Sequence, residues 1–256
     1  MLGAIIGDIV GSRFEFNNTS EFDFELFTEE CDFTDDTICT VAVADAILNG
    51  KTYRDATLEW CRRYPCPMGS YGGSFARWIH SSNPLPYGSF GNGSAMRVSP
   101  VGWLFNTREE VMEQAKRSAE ITHNHPEGVK GAQAVALAVF MGRRGVAKRD
   151  IMDEMRRFYP TFDEPRLGMN SFNETCQGTL PICLGIIERA NSFEEAIRYA
   201  IAVGGDSDTI GAIVGAIAEA IWGVPEEIAR TALTYLPHDI RTVYDDFCKV
   251  VVIKKD

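Results

Sequence analysis

Along most of this chain apolar residues recur at intervals of three and four, the spacing of one face of an α-helix. The pattern predicts helices over Leu2–Val10, Ile38–Leu48, Tyr53–Arg63, Arg149–Tyr159, Ile210–Trp222, Pro225–Tyr235 and Ile240–Val250. Thr107-x-x-Glu110 reads as a capping box opening a helix that reaches about Ile121, and Ser192-x-x-Glu195 opens another that stops at Gly204-Gly205. Pro126 suits a first helical turn, and the helix it opens runs to about Gly145. Asn173 is the expected cap of a helix through Ile187, with a kink at Pro181. Period-two alternation is almost absent, and Val250-Val251-Val252-Ile253 is the one strand-like run. The expected fold is therefore all-α: a single compact multi-helix domain over residues 1–256, with no shift of composition to mark a linker. One long stretch, from Pro65 to about Asn92, is rich in Gly, Pro, Ser and Asn and reads as a loop. Its aromatics (Tyr71, Phe75, Trp78, Tyr87, Phe90) predict that it is ordered and packs on something.

Composition narrows the function classes. At 45 % apolar the chain can bury a sizeable core. Its 25 basic against 36 acidic residues, a formal net charge of −11, repel phosphate backbones and anionic lipid, so nucleic acid is not expected as the main partner. No membrane span is expected either, because the longest apolar run, Ile210 to Trp222, carries Glu219 and is too short. The first residues hold no basic segment and their apolar stretch breaks at Asp8, unlike a signal peptide. Seven cysteines without a Cys-x-x-Cys pair argue against a disulfide framework or a thiolate zinc site. A cytoplasmic protein, monomeric in the simplest reading, is expected.

Part of the acid is concentrated in two segments that resemble each other. Phe33-Thr34-Asp35-Asp36-Thr37-Ile38 precedes the apolar helix 39–48, and Asp206-Ser207-Asp208-Thr209-Ile210 precedes the helix 211–221. Asp and Thr cap helix N-termini, but capping needs one side chain per helix, and here each end offers three. If the two ends met, four carboxylates would share a pocket, which is unfavourable without cations or raised pKa values. An all-oxygen donor set of this kind suits hard divalent ions such as Mg²⁺, with Mn²⁺ also suitable, and four carboxylates suit a pair of them. Gly3, Gly7 and Gly11 in the first helix and Gly211 and Gly215 in the later one point to closely apposed central helices. Gly88-Ser89-Phe90-Gly91-Asn92-Gly93 reads equally well as an anion-cradling loop or as a tight turn before a helix. His123 and His125 form a His-x-His pair before Pro126, for which capping is a commoner use than metal binding.

These motifs together resemble the ADP-ribosylglycohydrolases. The match runs in order through Gly7-Asp8-Ile9-Val10-Gly11-Ser12-Arg13-Phe14-Glu15-Phe16, Phe33–Thr37, Gly88–Arg97, Thr122-His123 and Gly204–Gly211. The resemblance implies an all-α fold around a site for two Mg²⁺ (or Mn²⁺), held by Thr34, Asp35 and Asp36 from one helix start and Asp206, Asp208 and Thr209 from the other. It places Glu15 over the metals beside the scissile ribose. It assigns Gly88, Ser89, Gly91, Asn92 and Gly93 to the diphosphate and neighbouring ribose, Phe90 to stacking on adenine, and His123 to a hydrogen bond with the ribose or phosphates. Arg97 is either a phosphate contact or a support of the loop. The implied reaction is hydrolysis of the bond between ADP-ribose and an acceptor, on a modified protein or a small ADP-ribosyl compound, with Glu15 and Asp35 as proton-transfer candidates. Two other readings use the same cluster: an all-α metal-dependent nucleotide phosphohydrolase, and a catalytically silent ADP-ribose-binding member. At 256 residues the chain is short for the family, which leaves the acceptor open.

Overall fold

A helix that is apolar on every side has no face to offer water, and two such helices form the centre of this protein. The computed structural model describes residues 1–253. Its elements are α1 (Leu2–Ser12), α2 (Asp35–Asn49), α3 (Tyr53–Arg63), α4 (Gly73–His80), α5 (Gly93–Met96), α6 (Ser99–Leu104), α7 (Arg108–Glu120), α8 (Pro126–Arg143), α9 (Lys148–Met155), α10 (Cys176–Arg189), α11 (Phe193–Ala202), α12 (Ser207–Trp222), α13 (Glu226–Ala232) and α14 (His238–Ile253). Among the described residues the extended pairings are two isolated bridges, Thr34 with Met68 and Gly91 with Thr175. The fold is all-α, as expected, with one continuous apolar core.

Every residue of α1 is buried, and α12 is buried from Ser207 through Ala218. The two meet backbone to backbone. A Cβ added at Gly7 would collide with the carbonyl of Gly211, and one added at Gly11 would lie 2.6 Å from the Asp208 Cα. Glycine's cost in helix stability is offset here by an approach that any side chain would forbid. Helices α2, α8, α10 and α11 surround this pair. The starts of α2 and α12 are thereby brought to one place.

Local signals acted largely as expected. Thr107 and Glu110 form the full capping box of α7. Ser192 caps α11, but Glu195 reaches back to the Asn191 amide at 2.8 Å rather than to Ser192. Four expectations need correction. The loop from Pro65 to Asn92 contains α4, where Phe75, Trp78 and Ile79 bury one face. The cap of α10 is Thr175, and Asn173 instead accepts from the Thr175 amide and hydroxyl in the turn before it. Val250-Val251-Val252-Ile253 is not a strand: it continues α14, an ongoing helix overriding the β-preference of a short branched run. The short helices α5 and α6 occupy a stretch for which no helix is expected from periodicity. The expected domain runs on to 256, and its last three residues lie outside the described part.

Among the described residues no helix is long and apolar enough to cross a membrane.

Candidate active site

The start of α2 is organised by a residue from α1. Asp8, fully buried, accepts from the amides of Thr34 and Thr37 at 3.0 Å each and from the Thr34 hydroxyl at 2.6 Å. Thr34 Oγ1 in turn accepts from the Asp36 amide at 3.2 Å. Asp8 and Thr34 thus satisfy the amides of Thr34, Asp36 and Thr37 at the start of α2. Asp35 and Asp36 are not needed as caps, and their carboxylates face a cleft of about 510 Å³.

At the start of α12, Asp206 occupies the N-cap position without capping the helix through its side chain. Its Oδ2 accepts from Asn92 Nδ2 at 2.6 Å. Thr209 Oγ1 donates to Asp36 Oδ2 at 3.2 Å, a direct link between the two helix starts. Oxygens of Glu15, Asp206 and Asp208 lie within 4.8 Å of one another. Glu15, Asp35, Asp36, Asp206, Asp208 and Thr209 all line the cleft, while Thr34 is enclosed behind it.

Such crowding is costly for the charged forms. Burial, reinforced by neighbouring carboxylates, drives Asp35, Asp36 and Asp208 well above the ordinary carboxylate range. Burial also raises Asp206, lifts Asp8 to about 6 despite its hydrogen bonds, and with the charges of Asp206 and Asp8 lifts Glu15 to about 7. Asp36 Oδ1 and Asp208 Oδ1 are buried with no hydrogen-bond partner among the described residues. Buried polar atoms are rarely left so, and two orphaned carboxylate oxygens in an all-oxygen cluster fit a hard divalent cation. The donor set contains no thiolate or imidazole.

The segment Gly88–Gly93 also lines the cleft. Four of its amides are engaged within the protein: Gly88 with Asn124 Oδ1, Ser89 with the Thr122 carbonyl, Gly91 with Ser89 Oγ, and Asn92 with the Glu174 carbonyl. Phe90 is 43 % exposed, with its ring 5.3 Å from that of His125. His123 and His125 are divided between two tasks: His123 lines the cleft, and His125 caps α8 by accepting from the Glu127 amide. Arg97 also lines the cleft, but it donates to the Ser118 carbonyl and the Thr122 hydroxyl, supporting the end of α7 and the turn after it.

Sequence reasoning overlooked two parts of this site. Asp8 served there only as the end of an apolar stretch and one letter of a motif. The signal was present, since a lone carboxylate inside a helix apolar on all sides must be buried and bonded. The segment Gly69–Ser70 also escaped notice. A Cβ at Gly69 would lie 2.5 Å from Glu15 Oε2, and both residues have left-handed backbone, φ +76° and +69°. This turn therefore closes over Glu15. Gly69→Ala is expected to push the Glu15 carboxylate aside and lower kcat by about 10²-fold, and to lower the melting temperature by a few degrees because alanine is strained at this left-handed φ, as measured by steady-state kinetics and thermal denaturation.

The all-α fold brings carboxylates from two helix starts and a connecting loop to one cleft, a buried acidic centre. The sequence profile of the ADP-ribosylglycohydrolase family matches residues 1–254, and the chain belongs to that family, whose activity is hydrolysis of glycosyl bonds. It is 24 % identical to ADP-ribosylhydrolase ARH3 of Danio rerio, over 97 % of this chain and 90 % of that one. It is 26 % identical to ADP-ribosyl-dinitrogen reductase glycohydrolase of Rhodospirillum rubrum, over 88 % and 85 %. A solved structure, that of an ADP-ribosylglycohydrolase-related protein complex, covers 98 % of this chain and 97 % of its own with a TM-score of 0.75 at 22 % identity, which shows the shared fold.

Proposed function

We propose that the protein cleaves the glycosidic bond between ADP-ribose and an acceptor, either an arginine or serine side chain of a modified protein or a small ADP-ribosyl compound, and so reverses ADP-ribosylation. The observation that carries this reading is the cleft itself, which carboxylates of both helix starts, two with orphaned oxygens, line together with the glycine-rich loop.

Asp35, Asp36, Asp206, Asp208 and Thr209 would hold two Mg²⁺, or Mn²⁺. Thr34 would join them, because donating its proton to Asp8 leaves Oγ1 a lone pair for a cation. Bound there, the ions would supply charge neutralisation and Lewis acidity toward ribose hydroxyls and water. The chain's own groups account for the rest. Glu15, half-buried on the cleft wall beside Asp206 and Asp208, is the first candidate for proton transfer. Asp35, on the cleft wall, is the second candidate for proton transfer. The ring of carboxylates favours the positive charge that develops on the ribose as its bond to the acceptor breaks. Gly88, Ser89, Gly91, Asn92, Gly93 and His123, which also line the cleft, would take the diphosphate and second ribose, the amides of Gly88, Ser89, Gly91 and Asn92 exchanging their present partners for the ligand, with Phe90 stacking on adenine. Asn92, held by Asp206, joins the two halves of the site.

The test is chromatographic. With Mg²⁺ the protein is expected to release intact ADP-ribose from ADP-ribosyl-arginine or ADP-ribosyl-serine peptides or from a small ADP-ribosyl compound. Release of AMP or phosphate would instead identify a phosphoanhydride hydrolase. Inactivity on all three substrates, or full activity in excess EDTA, would overturn the reading.

A second expectation follows from the raised carboxylates. An acid whose folded-state pKa exceeds its unfolded value takes up a proton on folding, so stability is lost as pH rises through the gap. For Asp8 and Glu15 that gap spans an unfolded value of about 4 to folded values of about 6 and about 7. The metal-free protein should therefore melt lower at about pH 8 than at about pH 5.5. Saturating Mg²⁺ should raise the melting temperature by several degrees more at the higher pH, as read by scanning calorimetry.

A further inference from the structure

Behind the glycine-rich loop lies a chain of three buried side chains, of which the reaction outlined above uses His123 alone. Arg97 is 1 % exposed, Thr122 fully buried and His123 5 % exposed. Arg97 Nη2 donates to Thr122 Oγ1 at 2.9 Å, and Thr122 Oγ1 lies 2.7 Å from His123 Nδ1. Among the described residues Arg97 has no carboxylate partner, so a guanidinium charge is buried at the head of this chain.

The direction of the middle bond follows from proton accounting. A guanidinium only donates, so Thr122 Oγ1 accepts from Arg97 and still has its own proton to place. If His123 carried its proton on Nδ1, Thr122 would accept twice and its hydroxyl proton would be stranded in the interior, which is costly. If Nδ1 is bare, Thr122 donates to it and the hydroxyl proton has its acceptor. The ring proton then sits on Nε2. That atom has no protein partner among the described residues, and it lies beneath the loop, 3.4 Å and 3.3 Å from where Cβ atoms at Gly91 and Gly93 would be. The bare glycine backbone leaves room between Nε2 and the cleft that a side chain would fill. Burial, together with the Arg97 charge, holds the ring well below the usual histidine range and so neutral.

We propose that Arg97 and Thr122 are positioning residues that lock His123 into its Nε2-protonated tautomer, so that the ring presents a fixed hydrogen-bond donor to the phosphate or ribose oxygens of the ligand. This rests on the ADP-ribose reading given above. The relay also polarises the donor: a cation bonded to the Thr122 oxygen strengthens its O–H bond to Nδ1, which strengthens Nε2–H in turn. A neutral donor of this kind would keep its strength across neutral pH, where an ordinary histidine changes charge.

Long-range ¹H–¹⁵N NMR of imidazole-labelled protein reads the tautomer directly, without ligand or activity. Wild-type His123 is expected to be protonated at Nε2 and bare at Nδ1. Thr122→Val, close to isosteric, should abolish that preference and weaken ADP-ribose binding in Mg²⁺ by about tenfold in calorimetry, the worth of one good hydrogen bond. Thr122→Ser should restore both, which a purely structural role for the threonine methyl would not allow. A wild-type ring protonated at Nδ1, or a Thr122→Val protein with unchanged tautomer and affinity, would overturn the relay. Should the wild type show the Nε2 tautomer but bind no ADP-ribose, the relay would stand, and both the ADP-ribose reading and the ligand assigned to this donor would fall.

Discussion

Asp36→Asn is expected to lower turnover by at least about 10³-fold while making the metal-free protein more stable. The loss follows from position. Asp36 receives the Thr209 hydroxyl on one oxygen and leaves the other buried without a partner, on the wall shared with Asp206 and Asp208. An amide keeps the shape and the acceptor for Thr209 but removes the charge that would hold a cation, and a 10³-fold loss is about 4 kcal/mol of transition-state stabilisation. The gain follows from the same crowding. Burial first, then Asp8, Asp35 and Asp206, disfavours the ionised carboxylate, and Asn carries none of that cost. Above neutral pH the melting temperature without metal should rise by about 2–4 °C. Retention of more than a tenth of the wild-type rate would remove these carboxylates from the reaction. A fall in melting temperature without metal would show that the cluster is not strained.

Gly211→Ala is the second large effect, and it falls on folding. The methyl group would be driven into the backbone carbonyl of Gly7, and Gly7→Ala meets the reciprocal clash. No flexible side chain stands between the helices to move aside, so α1 and α12 must part along their length. A cost above about 4 kcal/mol is expected, at the severe end for a single substitution and enough to leave little folded protein at 37 °C. Urea denaturation followed by circular dichroism measures it. Gly72→Ala is the control: its φ is negative and nothing lies within 4 Å of the added carbon, so stability should change by less than about 0.5 kcal/mol. A cooperative Gly211→Ala protein of near wild-type stability would contradict the close apposition.

The legible parts of this protein are those where one residue type answers one physical need. Thr107 with Glu110 and the apolar periods of α3 and α7 announce helices by themselves. The paired Asp-Thr starts announce a site because they carry more oxygens than two caps require. What stays hidden depends on partners far along the chain. Asp8 reads as a break in an apolar run until the amides of Thr34 and Thr37 are seen against it. The face of α4 (Phe75, Trp78, Ile79) has helical spacing, but the glycines and prolines around it mask so short an element. Thr122 is an ordinary threonine until the Arg97 guanidinium is seen donating to its hydroxyl oxygen. Conversely, the branched run at Val250 misleads because a helix already under way extends more readily than a new strand forms without a partner.

Asn18 has a consequence for motion. Its side-chain oxygen accepts from the Gly205 amide at 2.8 Å, and its nitrogen donates to the carbonyls of Phe14 and Gly205 at 2.6 and 2.9 Å. The segment carrying Glu15 and the left-handed Gly204-Gly205 turn that leads into Asp206 are therefore clipped together, across 187 positions of sequence. Neither can swing outward alone, so the two form one cooperative opening unit at the rim of the cleft. Hydrogen exchange at the single amide of Gly205 then reports how often the Glu15 segment lets go.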